Sequence, residues 1–331
     1  MTLPFQPTRF SVPIVNPVIS TSTVNHLLPY VSPSEFRFAP TAVGSADLVP
    51  LSTNQSADSI ASLSQEIMRA TALINNIIFH GREASLAANI ITEADYVRIQ
   101  SSGALEIFCN YKPVREVLSL ALGFTPTTLS PIADPSSIAI LGGQVLQISQ
   151  LTPIGMSSTF ISGLGSPNSQ AYAYWQYVLG YPHTSLAVSS LAGASTITVN
   201  YTDLLQSEVV GIDTYSVPVQ LIIRDGSNTE TVIVTAIAGD VLTLQSPLQY
   251  AHTVPSSPDF IPVTAIPDTI ERATILLASM FIKLRASKAM ELPSRPGQSP
   301  SRSLIVENGG GADLKIAEKM LRPYIAPVFM R

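Results

Sequence analysis

A chain of 331 residues with 46% apolar and only 12% charged side chains, at net charge −5, has about half the charge that an ordinary soluble surface uses for its solvation. Much of the exterior is therefore expected to be covered by copies of the chain or by partners. The single cysteine, Cys109, excludes an intrachain disulfide framework, and the longest apolar run, Ile275 to Ile282, falls far short of the roughly 20 residues that a membrane-spanning helix needs.

Residues 1–55 contain eight prolines and four charges, interleaved with Phe5, Phe10, Phe36 and Phe38. Proline removes backbone donors and fixes φ, so this stretch is read as an extended arm laid along a partner or subunit surface. Its opening MTLPFQPTRF has prolines where a secretory leader needs an apolar core, so no leader is expected. At Ser56 the periodicity changes: Ile60, Leu63, Ile67, Ala70, Ile74 and Ile77 predict a helix over 58–79, stopped by Gly81. Tyr96 to Ile99 and Leu105 to Phe108, around Ser101-Ser102-Gly103, read as a β-hairpin, and Pro113 to Leu122 is ambiguous between strand and helix. Residues 56–123 are thus assigned to a helix-plus-hairpin core.

Residues 124–186, rich in Ser, Thr, Gly and Pro, are read as an irregular or short-strand insertion. Tyr172, Tyr174, Trp175, Tyr177 and Tyr181 within it suggest a half-buried strand or a subunit contact at Trp175. Residues 187–263 alternate apolar and polar between the turns Asp225-Gly226 and Gly239-Asp240, which predicts a small all-β barrel or sandwich. Residues 264–331 return to helical spacing. Asp268 and Glu271 form a capping-box pattern, and a last helix over about 312–324 carries Leu314, Ala317, Leu321 and Tyr324 on one side. Gly309, Gly310 and Gly311 before it are read as a hinge. The fold class expected is α+β: a helical bundle with a β-hairpin, an inserted small β module and an extended N-terminal arm.

Catalytic chemistry is sparse. His26, His80, His183 and His252 are isolated from one another and lack metal-ligand spacing, so neither a metal nor a cofactor is expected. His183 and His252 could each pair with a serine, but serine is too abundant here for that to carry information, and no G-x-S-x-G elbow occurs. Cys109 sits in an apolar alternating run and is read as a buried hydrophobe. Charge is divided unevenly: from Asp268 onward ten basic residues face six acidic ones, a net +4 against −9 in the remainder. A basic end of this kind suits an acidic partner or a phosphate backbone.

Five stretches carry a family resemblance. Ser64 to Asn76, then Ala94 to Ile107 with its Tyr96-Val97-Arg98-Ile99 and Gly103-Ala104-Leu105-Glu106-Ile107, then Lys112 to Val117 with its Pro113-Val114 resemble the helix, hairpin and Pro-Val segment of the head-to-tail adaptor (connector, neck) proteins of tailed bacteriophages. Pro267 to Ala273 and Asp313 to Tyr324 are similar to that family's later bundle helix and closing helix. The arm of 1–55 and the stretch 124–186 depart from the pattern. The resemblance implies a structural, non-enzymatic virion protein at the head–tail junction, assembled in the host cytoplasm. It further implies a homo-oligomeric ring of about twelve subunits beneath the portal protein and next to tail or neck proteins, with DNA passing unread through the lumen. The closing helix is then expected to dock on the portal through Lys315, Lys319, Arg322, Tyr324 and Phe329. The alternatives are a receptor- or carbohydrate-binding virion protein using Trp175 as a sugar platform, and a virion hydrolase.

Overall fold

The structure, a computed structural model, describes residues 28–40, 55–81, 84–99, 104–132, 138–148, 170–202, 205, 219–286 and 310–325. It corrects the expected class: the chain is mostly β, with three antiparallel sheets and four helices among the described residues, and is not a helical bundle carrying a small β module. The helices are α1 (Pro33–Phe38), α2 (Gln55–Ile78), α3 (Asp268–Ala286) and α4 (Gly310–Leu321).

A four-stranded sheet runs in the order β1 (Asn89–Arg98), β7 (Gln170–Leu179), β3 (Val114–Gly123), β4 (Ser130–Pro131). The supposed hairpin is not one. β1 pairs along its whole length with β7, from Asn89↔Leu179 to Arg98↔Gln170, and among the described residues its only ladder contact with β2 (Leu105–Phe108) is the bridge Ile99↔Leu105 just past its end. β2 instead joins β6 (Val145–Ile148) and β5 (Ala139–Leu141) in a three-stranded sheet. β3 resolves the ambiguous stretch. Register shifts between Val114/Glu116 and Val117/Ser119 insert extra residues, so its core-facing Val114, Val117, Leu120 and Leu122 are spaced almost like a helix face. β7, inside the stretch read as an irregular insertion, is a central strand with Ala171, Ala173, Trp175 and Tyr177 turned inward.

The helices form a layer over these sheets rather than a bundle of their own. α2 buries Leu63, Ile67, Ala70, Ile74 and Ile78, a 3.6-residue stripe, and α3 and α4 add Ile270, Ala273, Leu277, Ala317 and Leu321 to the same core. That first core therefore draws on residues 30–181 and again on 266–321. The second core lies within one continuous stretch, Leu186 to Val263. It fills a half-barrel of order β8 (His183–Ser185), β13 (Pro262–Thr264), β10 (Val219–Ile223), β11 (Glu230–Ala238), β12 (Val241–Leu244), β9 (Thr196–Thr198). The bridge Leu186↔Val199 and the bond from the Ala187 N–H to the Thr198 carbonyl tie its two outer strands together, which removes most of the open edge.

The expected extended arm is also corrected for its described part. Residues 28–40 turn into α1, whose N-terminus is a capping box between Ser32 and Glu35, and they bury Tyr30, Val31 and Phe36 in the chain's own core. Phe5 and Phe10 lie outside the described residues.

Candidate functional site

Two places concentrate chemistry: the seam where residues 28–40 join the two bodies, and the outer face of the four-stranded sheet. At the seam, Tyr30 reaches the first body. Its hydroxyl donates to Asn75 Oδ1 at 2.5 Å, accepts from the Leu86 N–H at 2.9 Å, and lies 3.1 Å from Ser85 Oγ. Toward the half-barrel, the Pro29 carbonyl meets His183 Nε2 at 3.0 Å, and Asp259 Oδ1 accepts from both the N–H and the hydroxyl of Ser34. Phe38 lies against Gly226, where a Cβ would stand 2.7 Å from the ring, so any larger residue at that positive-φ turn would push the ring aside.

A buried charge group completes the seam. Arg224, at the end of β10, pairs through Nη1 with Glu271, and through Nη2 with Asp268 Oδ1 at 2.8 Å and the Ile266 carbonyl at 3.0 Å. The acidic pair read as a helix cap thus grips an arginine of the other body. Burial, reinforced by the nearby Glu271 carboxylate, pushes the Glu35 carboxyl up to about 8, although the Ser32 N–H and Arg224 pull the other way. Burial likewise holds Glu271 above the usual carboxylate range and drives His183 down to about 4. His183 Nδ1 has no hydrogen-bond partner among the described residues.

His252 is fully buried between two carboxylates, with Nδ1 3.0 Å from Asp225 Oδ2 and Nε2 2.9 Å from Glu230 Oε1. Glu230 stays below its ordinary value because N–H bonds from Gln249 and Tyr250, with His252, outweigh the effect of its burial. Both ring nitrogens of His252 are thus engaged, and no cluster of three or more His, Cys, Asp or Glu among the described residues could hold a metal ion. Neither His183 nor His252 bonds a serine hydroxyl there. Burial, with Glu93 nearby, raises the Cys109 thiol far above its usual range, so it behaves as a hydrophobe.

The second place follows from register. By register the residues facing away from the core are Ile90, Thr92, Ala94, Tyr96 and Arg98 on β1, Gln170, Tyr172, Tyr174, Gln176 and the buried Val178 on β7, and Glu116, Ser119 and Ala121 on β3. Formal charge is confined to the two ends, Arg98 and Glu116. Gln176 Nε2 donates to Thr92 Oγ1 at 3.1 Å, its Oε1 accepts from Ser119 Oγ at 3.4 Å, and the Tyr96 and Tyr172 rings meet edge-to-face at 5.1 Å.

The residues singled out from sequence scatter. Trp175 and Phe36 are each 1% exposed, so both side chains are spent in the chain's own interior and Trp175 offers no ring face to a sugar. Phe38 remains 69% exposed. Lys315 and Lys319 project from α4 and Arg322 from the 3-10 turn that follows it, while Leu314, Ala317, Leu321 and the partly buried Tyr324 face the core. The apolar stripe of α4, with Tyr324 from the docking set, is therefore occupied by the chain's own core. Lys283 pairs with Asp313 at 3.2 Å, and Lys112 Nζ donates to the Pro323 carbonyl at 2.9 Å, which pins both ends of α4. Gly310 and Gly311 belong to the first turn of α4, while Gly309 and Phe329 lie outside the described residues. Sequence reasoning missed the sheet face because the pairing of β1 with β7 spans some eighty residues, and missed Arg224 because nothing local marks its partners.

No protein-family model matches this chain, and no curated protein matches it in sequence.

Proposed function

We propose that this chain is a structural, non-enzymatic subunit of a tailed-phage particle, an adaptor at the head–tail junction that works as a homo-oligomeric ring beneath the portal protein, with DNA passing through its lumen. The resemblance of Pro267 to Ala273 and Asp313 to Tyr324 to that family, both helical here, supports the reading, as does the 12% charge content. The observation that carries it is the exposed apolar surface on both bodies. Leu191 is 79% exposed and Val188 57%, and with Phe38 and Ile316 they stand on a chain too poor in charge to solvate itself alone. Heterologous ring contacts use two different faces of each subunit and cover such surfaces twice over.

Portal docking then rests on the basic outer side of α4 and the turn that follows it, Lys315, Lys319 and Arg322, rather than on its apolar stripe. Removing residues 312–331 would take Ala317 and Leu321 out of the core, so charge reversal is the sharper test. Electron microscopy and native mass spectrometry of the purified protein, alone and with portal protein, should show a closed ring. Lys315→Glu/Lys319→Glu/Arg322→Glu should form the ring and lose the portal. A monomer at every concentration, with and without portal, overturns the reading.

A further inference from the structure

We propose that the outer face of the β1–β7–β3 sheet is a subunit contact, covered in the assembled particle by a second copy of this chain; the inference rests on the ring reading above and names a surface for it. Antiparallel sheets usually solvate their outer face with charged and polar residues, whereas here the outward positions between Arg98 at one end and Glu116 at the other hold none with formal charge. Enrichment in tyrosine with depletion of lysine and carboxylates is the composition of an interface centre.

The face is also prepared for desolvation. The Gln176 amide, the most expensive group to bury, already bonds Thr92 on one strand and Ser119 on the other, so a covering surface strands little of it. Tyr96 and Tyr172 hold each other edge-to-face, which reduces the side-chain entropy that binding would cost. Ten residues of strand at about 3.3 Å each, over three strands about 4.8 Å apart, give roughly 500 Å². That is more than half of the roughly 800 Å² that one side of a standard interface buries.

Charge selects the occupant. A partner with an ordinary exterior, about one quarter charged, would bury ions against tyrosine and alanine with nothing to pair them. A second copy brings a surface as poor in charge as this one. The ends of the face also carry opposite signs, Arg98 exposed at one and Glu116 half-buried at the other, an arrangement that suits self-association.

The test is sedimentation velocity of the full chain, alone and with portal protein, on Tyr174→Glu and Ala94→Glu, with Leu191→Glu as a control charge on the other body. Both face variants should need at least tenfold more protein for half-assembly than wild type, and more than the control. Tyr96→Ala/Tyr174→Ala, which adds no charge, should weaken assembly in the same direction and covers the case in which a glutamate unfolds the sheet. Face variants that assemble like wild type overturn this surface and leave the ring reading standing. A wild-type chain that never associates overturns the ring reading itself, and this inference with it.

Discussion

The two bodies solve the problem of strand edges and faces differently. The half-barrel is built from one continuous stretch, ties its outer strands together at Leu186↔Val199, and locks its loops with His252 held between Asp225 and Glu230. The first body brings together strands some eighty residues apart, caps one side with three helices, and leaves the other side of its main sheet charged only at its ends, Arg98 and Glu116, with Ile90, Tyr96 and Tyr174 exposed. One body closes its strand edges, and the other leaves a sheet face exposed.

The most severe way to break this division is to hollow the first core. Trp175→Ala should cost about 3–5 kcal/mol and accelerate hydrogen exchange in β1, β3 and β7, while exchange in β10 to β12 stays near that of the wild type. Equal acceleration in both bodies would show a single cooperative unit. Arg224→Met attacks the seam instead, since it leaves Glu271 buried without its partner; a loss of about 3 kcal/mol in urea unfolding is expected. Adding Glu271→Gln should return part of that loss, because the uncompensated charge goes with it.

The seam also titrates. Glu35 moves from an ordinary 4.5 to about 8 in the folded chain. A group whose folded value is raised contributes its stability fully below the unfolded value and loses it as pH rises through the folded one. Stability from Glu35 should thus decline between about pH 4.5 and pH 8, on the order of 2 kcal/mol once local relaxation is allowed for. Glu35→Gln, which can still accept the Ser32 N–H, should flatten that slope in melts taken across the window; an unchanged slope would place the titration elsewhere. His183 runs the other way. Its depressed value, about 4 against an ordinary 6.5, makes its contribution present above pH 6.5 and lost as pH falls through 4. Smallest of all, Tyr174→Ala and Leu191→Ser should change monomer stability by under about 0.5 kcal/mol in chemical denaturation, since neither side chain fills a core.

Legibility followed the range of the contacts. In the half-barrel, strands pair with near neighbours across short turns, so alternation such as Thr196-Ile197-Thr198 and the turns at Asp225-Gly226 and Gly239-Asp240 located β9 to β12 closely. In the first body the same reasoning took β1 and β2 for a hairpin, because a short glycine-containing link is the local signal, whereas the true partner of β1 is β7. β3 misled for a different reason: two bulges shift its inward residues off the two-residue period. The basic residues of α4 were visible as a helix side, but the side its apolar stripe would cover was not.

The order of residues alone determined the helical stripe of α2, the alternation of the half-barrel strands, the scarcity of charge and the inertness of Cys109, because each depends on composition or on neighbours a few positions apart. Folding in three dimensions decided which strands share a sheet, that Trp175 and Phe36 go inward while Tyr96 and Tyr174 go outward, and that Arg224 finds Asp268 and Glu271. Those outcomes depend on register between distant segments, and a shift of one residue turns every side chain of a strand to its opposite face.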